Sequence, residues 1–129
     1  MAELSVVIVA KNEERTIGQV LAAVKEIADE VIFVDSGSTD RTLAIVTEHG
    51  VKPIHQDWLG YAAQKNFAMG LARHEWLLSL DADEVVTEPL AAEIKQLLSA
   101  PSLNQCAGYK IPRILYIGST PVMHGGFYP

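Results

Sequence analysis

A chain of 129 residues is long enough for one hydrophobic core and too short for two ordinary domains, so its motifs are read as parts of one structure. Its 49% apolar and 20% charged residues exclude a disordered tail or a fibre. A net charge of −6, with no concentrated basic face, argues against a nucleic-acid partner.

Leu4 to Ala10 is a compact run rich in Val and Ile, which reads as a strand buried on both faces. It is too short to span a membrane and lacks the basic start and cleavage site of a signal peptide, so a cytoplasmic chain is expected. The polar cluster Lys11-Asn12-Glu13-Glu14 follows. Ile17, Val20, Leu21, Val24 and Ile27 then fall at helical spacing, with Asn12 or Thr16 available as the cap.

Val31 to Val34 predicts a second strand, ending at Asp35-Ser36-Gly37-Ser38-Thr39-Asp40, and a helix follows that stops at Gly50. A weaker strand covers Val51 to His55, a helix runs from about Gln64 to Ala72, and a fourth strand spans Trp76 to Leu80. Asp81-Ala82-Asp83-Glu84 closes that strand, and Thr87 and Pro89 open another helix to about Ser99. From Ala107 to Ile117 the pattern is extended but broken by Pro112, as in an edge strand or one crossing the main sheet. Gly118 to Pro129 reads as a loop with no closing element. Alternation at this spacing predicts an α/β fold, with a mainly parallel sheet, right-handed crossovers and helices on both faces.

The three polar clusters Lys11 to Glu14, Asp35 to Asp40 and Asp81 to Glu84 each follow the carboxyl end of a predicted strand, the edge at which open parallel sheets bind ligands. Such loops also need Asp, Ser, Thr and Asn merely to cap helices, but three of them converging on one edge point to a site. Neither a G-x-G-x-x-G nor a G-x-x-x-x-G-K-[ST] is present, which argues against a dinucleotide fold or a P-loop.

Asp81 and Asp83 stand two apart in a segment expected to be extended, which puts both carboxylates on one side about 6.5 Å apart. At an effective dielectric near 20 they repel by roughly 2.5 kcal/mol, which a hard divalent cation would relieve. Mg²⁺ or Mn²⁺ commonly joins one or two carboxylates to substrate phosphates. The bland alternative is a pair of solvated turn residues. His49 and His55 read as surface or strand-end residues. His124, followed by two glycines that permit close backbone approach, is less easily set aside. Cys106, the single cysteine, allows no internal disulfide or multi-cysteine zinc site, and reads as a small buried apolar residue.

Four ordered segments, 5–14, 34–42, Gln64-Lys65-Asn66-Phe67-Ala68 and Leu80-Asp81-Ala82-Asp83-Glu84, resemble the signature of family-2 glycosyltransferases with the Rossmann-like glycosyltransferase-A fold. Gly108 to Arg113 and His124 to Pro129 are similar to the bacterial branch that adds glucose to lipopolysaccharide core. The resemblance implies that Ala10 and Glu13 border a nucleobase, Asp35 bonds uracil and Lys65 lies near the nucleotide. Asp81 would approach ribose or metal, and Asp83 would coordinate Mg²⁺ or Mn²⁺.

It further implies inverting transfer of a hexose, glucose above all, from a uridine diphosphate sugar to a lipopolysaccharide-core or other lipid-linked glycan, with the full-length enzyme peripheral to the inner face of the plasma membrane. The family takes its general base from a later segment, which neither Glu84 nor Glu88 matches. Residues 1–129 are therefore expected to be the nucleotide-sugar-binding part of one domain. Alone, this part should bind the donor, transfer no sugar, and self-associate through apolar surface left uncovered around Ile111 to Phe127. Competing readings are a non-catalytic nucleotide-binding module and a nucleotidyltransferase. The second should carry a glycine-rich basic loop after strand one, which Lys11 to Glu14 is not.

Overall fold

The computed structural model describes residues 3–99 together with strand residues 115–117, 120–122 and 127–128. In chain order the elements are β1 (Leu4–Ala10), α1 (Ile17–Val24), β2 (Glu30–Asp35), α2 (Thr42–Glu48), β3 (Pro53–His55), α3 (Tyr61–Gly70), β4 (Trp76–Asp81), α4 (Glu88–Ser99), β5 (Leu115–Ile117), β6 (Thr120–Val122) and β7 (Phe127–Tyr128). The main sheet has the order β3-β2-β1-β4-β7, with β1 to β4 parallel and β7 antiparallel against β4.

Alternation along the strands divides the core in two. Leu4, Val6 and Ile8 of β1 and Leu78 and Leu80 of β4 pack with Ile17, Val20 and Val24 of α1, Val46 of α2, and Leu90, Ile94 and Leu98 of α4. Val7 of β1 and Ile32 and Val34 of β2 face the other way and meet Ala68 of α3. Helices thus cover both faces, the arrangement that lets strands buried on both sides be apolar throughout. At the far end of β2, Glu30 accepts hydrogen bonds from the Ser5 hydroxyl (2.8 Å), the Arg73 amide (2.9 Å) and the Arg73 Nε (2.7 Å).

Four features differ from the sequence expectation. Helix α3 begins at Tyr61 rather than Gln64. Its first three residues are exposed and the side chains it buries are Gln64 and Ala68, so its apolar periodicity is faint. Of the stretch expected at Ala107 to Ile117, the described part, Leu115 to Ile117, forms β5 and pairs antiparallel with β6 rather than with the main sheet. The tail is not wholly loop: β7 pairs with the outer side of β4, supplying backbone partners to a strand edge that would otherwise be open. The fourth is Asp81 to Asp83, which leaves the extended conformation. The Glu84 amide donates to the Asp81 carbonyl (3.0 Å) and Glu84 Oε1 accepts from the Asp81 amide (2.7 Å), closing a turn. Cys106, Pro112, His124 and most of the segment expected to self-associate lie outside the described residues.

Candidate functional site

The chain builds β1, β2 and β3 outward in one direction and then returns past β1 to lay down β4. The crevice at the carboxyl ends of β1 and β4 is therefore the point where strand order reverses, the place where open α/β sheets bind ligands. A cavity of about 570 Å³ opens there. Its walls are Val9, Ala10, Lys11 and Glu13 after β1, Ser36 after β2, Trp58 and Tyr61 between β3 and α3, and Asp81, Ala82 and Asp83 after β4. Register puts Asp35 beside Ala10 and Asp81 beside Val9, so both acids stand on the same sheet edge. A second cavity of the same volume lies between α1 and α4. Position and chemistry, not size, single out the first.

The loops after β1 and β2 are joined by side chains, among them Asn12, one of the two caps that the sequence offers for the first helix. Asn12 adopts a positive φ of 55°, which asparagine tolerates better than most residues, and its Oδ1 accepts from the Thr39 amide at 2.8 Å. The Asn12 amide donates to Ser38 Oγ (2.8 Å) and the Glu13 amide to Thr42 Oγ1 (2.9 Å). Thr16 precedes α1 but makes no side-chain cap there, because its hydroxyl donates to the Ala82 carbonyl at 2.9 Å. Three loops thereby become one frame.

Of the six residues singled out from sequence, Ala10, Glu13, Asp81 and Asp83 line the cavity, while Asp35 and Lys65 adjoin lining residues, Asp35 next to Ser36 in the chain and Lys65 paired with Asp81. Asp35 is only 2% exposed and holds its own loop: Oδ2 accepts from the amides of Gly37 (2.9 Å) and Ser38 (2.8 Å), and Oδ1 from the Ser38 hydroxyl. Asp81 Oδ1 accepts from the Tyr61 hydroxyl (2.7 Å) and pairs with Lys65 Nζ (3.2 Å), which also lies 4.8 Å from the centre of the Tyr61 ring. Burial alone would lower the Lys65 pKa, but hydrogen bonding to Tyr61 and the charge of Asp81 outweigh it and hold the ammonium above its ordinary value.

The carboxyl of Glu13 is pushed up from the usual carboxylate range, first by burial and then by the negative charge of Asp83, with smaller additions from Asp40 and Asp81. This side of the cavity therefore gathers negative charge. Among the described residues no three His, Cys, Asp or Glu side chains form a ready metal cage. Asp81 and Asp83 on one cavity wall nevertheless fit a Mg²⁺ or Mn²⁺ ion that takes one or two carboxylates from protein and the rest of its oxygens from phosphate and water. His49 and His55 are exposed, and His55 meets Asp57 at 2.8 Å.

Trp58 and Tyr61 were missed by the sequence reading. The available signal was two aromatics flanking Gly60 directly after a strand whose loop belongs to the ligand edge. The buried Gln64 was read only as part of a motif. Its Oε1 accepts from the Leu59 amide (3.0 Å) and its Nε2 donates to the Gln56 carbonyl (2.9 Å), clasping the loop that carries Trp58.

The model of the family described as glycosyl transferase family 2 matches residues 5–112. An uncharacterized glycosyltransferase of Rickettsia felis is 40% identical over 115 residues, covering 89% of this chain and 41% of that protein. The lipopolysaccharide core biosynthesis glycosyltransferase LpsC of Rhizobium meliloti is 33% identical over 126 residues, covering 92% of this chain and 46% of that protein. The chain thus spans less than half the length of either relative. Among solved structures, glucosyl-3-phosphoglycerate synthase from Mycobacterium tuberculosis, in complex with Mn²⁺, uridine-diphosphate-glucose and phosphoglyceric acid, superposes with a TM-score of 0.64 at 24% identity, over 78% of this chain and 41% of that one. That likeness is one of fold, and it matches the Rossmann-like glycosyltransferase-A architecture.

Proposed function

The chain belongs to glycosyl transferase family 2, and from that premise we propose that it binds the nucleotide end of a uridine diphosphate sugar, for metal-dependent, inverting transfer of a hexose, glucose by preference, to a lipopolysaccharide-core or related lipid-linked glycan. The observation that carries this reading is the convergence of Ala10, Glu13, Ser36, Asp81 and Asp83 on one cavity where strand order reverses. The name of the Rhizobium relative supports the acceptor class, and the ligands of the mycobacterial enzyme support donor and metal.

In this reading the nucleobase lies between Ala10, Glu13 and the loop after β2. A carboxylate has about four acceptor positions, of which Asp35 uses three within its loop, leaving one for the imide N–H of uracil. Asp83 and Asp81 would hold Mg²⁺ or Mn²⁺, which when bound neutralises charge on the departing diphosphate. Lys65, already charged beside Asp81, is placed to pair with a phosphate oxygen once a nucleotide competes for it. We assign no general base. Among the described residues no helix is long and apolar enough to cross a membrane. For a lipid-linked acceptor we propose that the full-length enzyme works peripherally at the inner face of the plasma membrane.

Calorimetric titration with uridine diphosphate, with Mn²⁺ and then with a chelator in its place, tests the proposal. Saturable binding that disappears with the metal is expected. Heats no different from buffer with Mn²⁺ present would end it.

A further inference from the structure

We propose that Trp58 is the stacking surface for the nucleobase, an inference that rests on the nucleotide-sugar reading above. Trp58 lines the cavity yet is 58% exposed, and Leu59 next to it is 51% exposed. A large aromatic surface left open to water on the wall of a ligand cavity is what a planar ligand would cover.

The loop that carries Trp58 is held in place. Gln64, fully buried, clasps the loop at Gln56 and Leu59, the Gln56 amide donates to the Asp35 carbonyl at 2.9 Å, and Gly60 turns the chain with φ of 101° into α3. A loop fixed beforehand reduces the backbone ordering that binding a ring on its side chain would cost.

Topology places it at the nucleobase end. The loop leaves the sheet from β3, on the flank of β2 and Ser36, whereas Asp81 and Asp83 follow β4 on the opposite flank of β1. Tyr61, three residues on, has already reached Asp81. Of the two aromatics lining the cavity, Tyr61 is engaged: its hydroxyl bonds Asp81 and its ring carries the Lys65 ammonium. Trp58 makes no comparable contact among the described residues, and the small side chain of Ala10 leaves the ring of a base room on the same flank.

The chain contains two tryptophans, and the other, Trp76, is buried in the core, so Trp58 emission can be read directly. Wild type, Trp58→Ala and Trp58→Phe would be titrated with uridine diphosphate and Mn²⁺ by calorimetry and by tryptophan fluorescence, after circular dichroism shows the three folded alike. Stacking on an aromatic is worth about 1–3 kcal/mol per base, so Trp58→Ala should bind about 5- to 150-fold more weakly, while Trp58→Phe stays within roughly threefold of wild type. The nucleotide should quench wild-type emission and leave that of Trp58→Phe unchanged. Equal affinity of wild type and Trp58→Ala, a Phe variant as weak as Ala, or unquenched wild-type emission would each overturn the inference while leaving the nucleotide-sugar reading intact. Failure of wild type to bind would instead overturn that reading, and the inference with it.

Discussion

Gln64→Leu removes both hydrogen bonds of the clasp over the β3–α3 loop while nearly conserving volume, so its effect isolates the polar interaction. In the native fold the Gln64 amide, fully buried, meets the Leu59 N–H at 3.0 Å and the Gln56 carbonyl at 2.9 Å. Each bond contributes about 0.5–1.5 kcal/mol net, and a partner left buried without a replacement costs about 1–3 kcal/mol. Both bonds are part-buried, so each freed backbone partner keeps only some access to water and the loss lies near the sum of two ordinary bonds. A total loss of about 1–3 kcal/mol follows. Urea denaturation followed by circular dichroism should show this as a lower midpoint with an unchanged slope, because the surface exposed on unfolding is nearly the same. Gln64→Ala adds a cavity and should lose more. A Gln64→Leu protein within about 0.3 kcal/mol of wild type would refute the clasp, since that is less than one ordinary hydrogen bond.

Asp83→Ala should abolish Mn²⁺-dependent binding of uridine diphosphate while leaving the thermal midpoint nearly unchanged, and equal calorimetric affinity in the two proteins would reduce Asp83 to a turn residue. Gly60→Ala forces a side chain onto a backbone with φ of 101° and should cost about 1 kcal/mol or more, read as a fall in urea midpoint. Two glutamates should respond to pH with opposite signs. The Glu13 carboxyl is raised, so its ionised form is penalised in the folded state; the penalty is absent below the unfolded value of 4.5 and grows as pH rises past it, and Glu13→Gln should therefore stabilise the chain more at pH 7 than at pH 4. Burial alone would raise Glu30, but its bonds to Arg73 and Ser5 more than offset this and hold it low, so its stabilisation is present above 4.5 and lost as pH falls through the lowered value. Glu30→Gln should accordingly destabilise more at pH 7 than at pH 3. Urea midpoints measured across that range check both, and pH-independent differences would contradict the assignments.

What was legible in the sequence was whatever depends on period and order. The apolar runs 4–10 and 31–34 are strands buried largely on both faces, that at 76–80 is buried on one face and half-buried on the other, and their polar terminations mark the ligand edge wherever the strands lie in one sheet. Helix α3 was misplaced by three residues because its buried stripe is made of Gln64 and Ala68, which carry almost no apolar signal. The Asp81–Asp83 spacing was read with the period of a strand, but that period ends at Asp81, where Glu84 folds back on the backbone.

The residues least legible were those that act through another part of the chain. Asn12 serves the amide of Thr39, Thr16 the carbonyl of Ala82, and Gln64 the loop before its own helix, across separations of 27, 66 and at most 8 positions. A polar side chain near a helix start looks the same in sequence whether it caps that helix or spans the cavity edge. Local propensity decides only when no tertiary acceptor competes, and at this edge the converging loops bring competitors within reach. The same convergence partly buries Glu13 and brings Asp83, Asp40 and Asp81 near it, so that burial first and then those charges raise its carboxyl, with Lys65 as the cation held against Asp81. The cavity's electrostatics are thus a product of topology: strand order gathers acids that are up to 70 positions apart in the chain, and on the function proposed above a divalent cation with a diphosphate would satisfy them together with Lys65.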